Sequence, residues 1–258
     1  MKLDIVYEDN YIIACNKPFG VPSQPDKTYG TDMVTLVKEY LYEKGETDEE
    51  PYVAVINRLD RPVAGIILFA KDEKTAASLT DMVQDREITK YYQAVVKGYM
   101  QSVEGELRDY IVHDKKTNIS HIVSGGKGSD SKAKLAVLKY EVLDELDTDE
   151  GPVSYLLIEL ETGRHHQIRA QLAANGNPIW GDDKYGERSS SQGKSSNNKN
   201  SKNNKNNKNN QNNKKNKSDG IGLFSTKMEF DHPVTGEHIL LHREPEGGAF
   251  DIIDQMDW

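Results

Sequence analysis

The chain has a single cysteine, Cys15, so no internal disulfide can form, and a reducing compartment is expected. Cys15 follows Ile12-Ile13-Ala14, the setting of a buried, inert thiol rather than a nucleophile. No apolar run approaches the roughly 18 residues that a membrane helix needs. Met1-Lys2-Leu3-Asp4 opens no apolar signal sequence, so a cytoplasmic location is expected. A basic excess is also missing. The formal net charge is −9, which does not by itself announce a nucleic-acid partner.

That charge hides an asymmetry. Residues 187–219 carry Arg188 and eight lysines against Glu187 and Asp219, a net +7, which leaves −16 on the rest of the chain. The same stretch is almost pure Asn, Lys and Ser. It cannot offset its ordering entropy by burying apolar surface, and it is expected to be a disordered insert. Two readings of it stand side by side. It is either an electrostatic tether compensating for an acidic core, or a tolerated low-complexity expansion, which costs little in a surface loop. The remaining chain is long enough for one domain spanning 1–258.

Turn and period signals divide the chain into short elements. Residues 4–16 read as two strands around Glu8-Asp9-Asn10. Residues 31–44 read as a helix capped by Thr31 or Asp32 and stopped by Gly45, followed by an acidic loop at Thr47-Asp48-Glu49-Glu50. Val53-Ala54-Val55-Ile56 and Ile66-Ile67-Leu68-Phe69-Ala70 are apolar runs of strand length. A second helix over 73–85, capped by Asp72, precedes a strand at Tyr92–Val96. Residues 99–133 read as mostly loop, with Gly125-Gly126-Lys127-Gly128-Ser129 a flexible turn rather than a phosphate loop. Strands at 135–143 and 153–161 lead into the stretch Leu160 through Arg169, which turns into a helix with Ile168 and Leu172 on one face and Gly176 at its end. Strands at Ile221–Phe230 and His238–Leu241 close the chain. Strands outnumber helices and follow one another directly, so the class is α+β with a largely antiparallel sheet.

Three clusters carry chemistry rather than packing: Arg58/Asp60/Arg61, Lys90-Tyr91-Tyr92, and Arg164 through Arg169. Each lies at a boundary between elements, where side chains can converge. Asp60 sits on a bent segment between apolar runs, with Pro62 and Gly65 shaping the backbone. Such a segment either holds a carboxylate at a fixed point or is a surface ion pair at a strand end, worth little. An aspartate nucleophile must be ionised, held in one rotamer and partly desolvated. His165-His166 with Asp182-Asp183 suggests a metal only weakly, because adjacent histidines do not easily face one ion.

Asn57-Arg58-Leu59-Asp60-Arg61-Pro62-Val63-Ala64-Gly65 resembles the catalytic motif of the RluA-type family of RNA pseudouridine synthases. Lys90 through Gly98 resembles that family's tyrosine motif, Thr162 through Arg169 its arginine motif, and Pro178 through Gly186 the loop that follows. Asn16-Lys17-Pro18-Phe19-Gly20 and His232-Pro233-Val234-Thr235-Gly236 match signatures near the two ends. The resemblance implies a pseudouridine synthase fold, a mixed sheet with flanking helices around a central catalytic cleft. It implies that uridine is isomerised in structured ribosomal or transfer RNA, without metal or organic cofactor.

By the same resemblance, Asp60 is the nucleophile, Tyr92 lies against the base, and Arg164 pairs with Asp60. Ile168 forms the apolar wall, and Arg58 fills the stack left by the flipped uridine. Asn57, Arg61, Gln167, Arg169 and Lys90 are the remaining expected substrate contacts. A start directly at the catalytic domain, without an S4-type RNA-binding module, and a monomer are expected. Asn57, Val63-Ala64, His165 and Leu223-Phe224-Ser225 depart from the family's usual residues, which puts substrate contacts in question more than chemistry. Two rivals remain. One is a catalytically silent RNA-binding protein of the same fold. The other is a nucleosidase-like enzyme, which needs a second acid, and Glu161 is its only motif-adjacent candidate.

Overall fold

The computed structural model describes residues 1–26, 30–45, 49–124, 130–186 and 220–255. The expected turn at Gly125–Ser129, the start of the acidic loop at Thr47–Asp48 and the insert at 187–219 lie outside the described residues.

One mixed sheet carries the molecule. Its strands are β1 (Ile5–Glu8), β2 (Ile12–Lys17), β3 (Ala54–Val55), β4 (Ala64–Ala70), β5 (Thr89–Lys97), β6 (Glu104–Asp114), β7 (Ile119–Ile122), β8 (Lys134–Thr148), β9 (Gly151–Leu160), β10 (Leu223–Asp231) and β11 (His238–His242). The main order is β1-β2-β4-β10-β5-β9-β8-β6-β7, with β3 on β4 and β11 on β10. All strand pairings are antiparallel except β10 with β4. The α+β class and the largely antiparallel sheet stand as expected.

β4 explains why the sheet is covered on both faces. All seven of its residues are buried, so it reads as a continuous apolar run rather than an alternation. Ile67 and Phe69 pack on one side with Val37 and Leu41 of α1 (Met33–Glu43) and Ile168 and Leu172 of α3 (Gln167–Ala174). Ile66 and Leu68 pack on the other with Ala76 and Leu79 of α2 (Glu73–Asp85). Asp32 and Asp72 cap α1 and α2, accepting the backbone N–H of Thr35 at 3.2 Å and of Thr75 at 2.8 Å. A 3₁₀ helix, Gly248–Gln255, lays Phe250 against Phe224.

Residues 99–133 are not mostly loop. They hold β6 and β7, which take half of the described residues there, and β8 runs five residues further than its expected end. The apolar signal is diluted there because β6 alternates Glu104, Glu106 and Arg108 outward against only partly buried neighbours. An edge region of that kind lacks the apolar run by which a central strand is read.

Gly65 shows how closely the sheet closes over the site. It sits at φ 110°, and a Cβ there would land on the backbone nitrogen and carbonyl of Ser225, its parallel partner on β10. Gly65→Ala is therefore expected to cost roughly 3 kcal/mol or more, combining left-handed strain with a backbone clash. Urea denaturation against wild type measures it. A loss below 1 kcal/mol would mean that the two strands can part at no cost.

Candidate active site

The loop between β3 and β4 carries Asp60 into a cleft of about 1620 Å³. Its backbone is clamped from the segment that follows β2. Ser23 Oγ donates to Leu59 O at 2.8 Å and accepts from Leu59 N at 3.0 Å. Gly20 N donates to Arg61 O at 2.8 Å, and Arg61 Nε donates back to Gly20 O at 2.8 Å. Lys17 is fully buried, and its Nζ donates to Val21 O at 2.7 Å, Pro18 O at 3.0 Å and Arg61 O at 3.4 Å. Burial pulls that amine down to about 7. Asp60 itself accepts the N–H of Val63 through its carbonyl at 3.0 Å. A carboxylate on so many backbone bonds has little room to wander.

The Asp60 side chain, 26% exposed, is gripped by α3. Arg169 Nη1 donates to Asp60 Oδ2 at 2.8 Å. The same guanidinium takes Asp182 through Nε and Nη2, at 2.7 and 2.8 Å. Arg169 and Asp182 are both buried, so this fork is pre-set before Asp60 is reached. Burial opposes the charge on Arg169, yet the two aspartates more than offset it and hold its pKa above the usual arginine value.

The arginine that pairs with Asp60 is thus Arg169, not Arg164. α3 begins only at Gln167. Gln167 Oε1 accepts from Thr162 Oγ1 at 2.8 Å and from Arg164 N at 3.0 Å, which fixes a turn ahead of α3. Arg164 is left exposed on that turn, its Nε donating to Leu135 O at 2.9 Å. Gln167, with Nε2 also on Val137 O at 3.1 Å, is a buried bracket rather than a free substrate contact. Asn57 is likewise engaged within the sheet, accepting Leu68 N at 2.7 Å and donating to Ile66 O at 3.3 Å.

Tyr92 and Ile168 are buried and line the cleft with Leu223 and Val63. Burial pushes the Tyr92 phenol up to about 12, with the charge of Asp60 adding to it, so the hydroxyl keeps its proton at neutral pH. Arg58 lines the cleft, is exposed, and has no hydrogen bond or ion pair among the described residues. Arg61 reaches the cleft rim while holding Gly20.

A model of the RNA pseudouridylate synthase family matches residues 11–174. The chain belongs to this family. It is 36% identical over 186 residues to the dual-specificity RNA pseudouridine synthase RluA of Vibrio cholerae, covering 71% of this chain and 68% of that protein. It is 32% identical over 186 residues to the uncharacterized RNA pseudouridine synthase YhcT of Bacillus subtilis, covering 72% of this chain. It spans 58% of the length of that relative. Human RNA pseudouridylate synthase domain containing 4 shares the fold, with a TM-score of 0.68 at 19% identity over 94% of this chain and 88% of that one.

This member of the pseudouridylate synthase family has a second layer that its motifs did not reveal. His113, His165 and His166 stack face to face, with centroids 3.7 Å apart at each step. His166 stands at φ 51°, a left-handed conformation rare outside glycine, which turns its ring toward the site. Its Nε2 lies 3.5 Å from Asp60 Oδ2, and its Nδ1 lies 2.9 Å from Tyr185 OH. Ser120 N donates to Tyr185 OH at 2.8 Å. A tyrosine hydroxyl that donates to Nδ1 leaves the ring proton on Nε2, facing Asp60. Burial and the charge of Arg169 lower His166 to about 2, so the ring is neutral. Among the described residues no group of three His, Cys, Asp or Glu is arranged to hold a metal ion.

His165 is also lowered, to about 4, by burial and by His113. The unfolded ring takes up its proton as pH falls through about 6.5, whereas the folded ring waits until about 4. Stability is therefore full above about 6.5 and falls with pH between 6.5 and 4. The slope stays well under the ceiling of about 1.4 kcal/mol per pH unit, because the ring is partly exposed. His165→Thr is expected to flatten the stability profile in that window, read from urea midpoints at pH 7, 5.5 and 4.5. A slope unchanged from wild type would remove His165 as its source.

Lys17, Asp182, Tyr185 and His166 are the site residues that went unassigned in the sequence. Asp182 had a signal, lying in the motif loop, but an acid next to Gly181 reads as a turn residue.

Proposed function

We propose that this chain is an RNA pseudouridine synthase of the RluA type, isomerising uridines in structured ribosomal or transfer RNA. The observation that carries the reading is Asp60, fixed by Arg169 in a cleft walled by Tyr92 and Ile168. In this reading the target uridine leaves its stack, a cost of a few kcal/mol that favours loops and bulges. The uracil lies between Tyr92 and Ile168. Asp60 acts as the nucleophile that breaks the N1–C1′ bond. The base rotates, C5 bonds to C1′ as the Asp60 carboxylate leaves it, the C5 hydrogen departs as a proton, and N1 gains one. No electron changes hands, so the reaction calls for no redox group.

The neutral His166 and the Arg169 fork keep the carboxylate in one place through these steps. Exposed Arg58 stands free to fill the gap in the RNA stack, and exposed Arg164 offers its outer nitrogens to the backbone. Tritium release from uridine-5-tritiated, unmodified ribosomal and transfer RNA tests the reading, because the isomerisation must expel the C5 hydrogen. Release from one RNA names the substrate class. RNA binding without release from either would favour a silent binder of the same fold.

A further inference from the structure

Two buried lysines flank this site, and they are treated differently. Lys17 is met by three backbone carbonyls and feels the charge of Asp60. Lys90 is 9% exposed, yet no hydrogen bond or ion pair reaches it among the described residues. Its pKa is lowered by burial alone, with no contribution from Asp60. Lys90 nonetheless lines the cleft, as do Asn57, Arg58 and Val83. It precedes Tyr92 by two residues on β5, so the two side chains share a face of the sheet, with Cα atoms about 7 Å apart. Its stem is buried and its ammonium, partly stripped of water and without a protein partner among the described residues, opens on the cleft, where an anion would be welcome. It stands in the cleft but away from the catalytic carboxylate, so it is placed to bind rather than to react.

We propose that Lys90 is a phosphate-binding residue, receiving a backbone phosphodiester of the RNA within a nucleotide or two of the uridine that enters at Tyr92. The inference rests on the RNA reading above, since phosphodiesters are the anions that the interior of an unmodified RNA strand offers. The contact fixes the register of the strand, and it carries no base preference. Lysine suits the task as a compact point charge on a flexible stem. The alternative is a stem that merely packs, with its amine in cleft water.

The test is the affinity for unmodified RNA as a function of salt, read on an Asp60→Ala background so that binding is seen without turnover. Lys90→Met keeps the packed stem and removes the charge. Its affinity is expected to fall about tenfold, as for a lost charged hydrogen bond. Its slope of log affinity against log salt should shrink by about 0.7–0.9, the share of one phosphate. Lys90→Arg should restore most of that slope. A Lys90→Met variant with wild-type melting temperature and an unchanged slope overturns the phosphate contact and leaves the reading of the enzyme intact. An Asp60→Ala protein that binds RNA with no salt dependence overturns both.

Discussion

Asp60→Ala is expected to leave a folded protein that releases no tritium from 5-tritiated RNA. The side chain is partly exposed, and its removal deprives Arg169 of one of two carboxylates while the bidentate grip on Asp182 stays. The loop keeps its shape, because Ser23, Gly20 and Lys17 hold it by backbone rather than by the Asp60 side chain. The melting temperature should therefore move by only a few degrees. Turnover should fall by at least about 10⁴-fold, the scale on which loss of an acting nucleophile is felt. Asp60→Asn, which keeps an acceptor for Arg169, should be as inactive. Turnover within tenfold of wild type in either folded variant would exclude Asp60 as the nucleophile.

Arg169→Met is expected to damage both fold and activity, and Arg164→Ala to spare the fold. Asp182 is 1% exposed, and Arg169 supplies both of its ionic contacts. Removing the arginine strands a buried charge, at a cost of roughly 3–5 kcal/mol by urea denaturation. Arg164 is exposed and gives its one described bond to a carbonyl, so its loss should cost about 1 kcal/mol or less. The double variant Arg169→Met/Asp182→Asn removes both buried charges and should recover most of the lost stability, with turnover still absent because Asp60 is no longer held. Recovery of turnover along with stability would show that Arg169 serves the core and not the carboxylate.

The contrast between these two arginines marks where the sequence stops being readable. The motif string from Thr162 to Arg169 showed that a basic cluster meets Asp60. Which arginine makes the contact depends on where α3 starts, and three residues change the direction in which a side chain points. The start is set by Gln167 tying Thr162 to Arg164 and by the left-handed backbone at His166, neither of which leaves a periodic trace. β4 was legible because its apolar run is unbroken, and Gly65 because a bend was needed there. β6 was not, since it is polar on one face and half covered on the other. The triple imidazole stack joins His113 of β6 to His165 and His166 in the turn ahead of α3, a long-range contact that no local pattern encodes.

The place of β10 in the sheet bears on how the chain is made. β10 lies between β4 and β5, yet it follows β5 by about 130 residues, beyond the lysine-rich insert. At about 5–20 residues per second on the ribosome, β4 and β5 wait roughly 7–25 s for the strand that joins them. Through that interval each has an open edge of unpaired amides beside apolar side chains, a template for the wrong neighbour. The two halves of the cleft wall, Asp60 ahead of β4 and Tyr92 on β5, come into register only once β10 has emerged. Birth of the active site thus trails the synthesis of β4 and β5, and through that delay their open edges are exposed to aggregation and to chaperones.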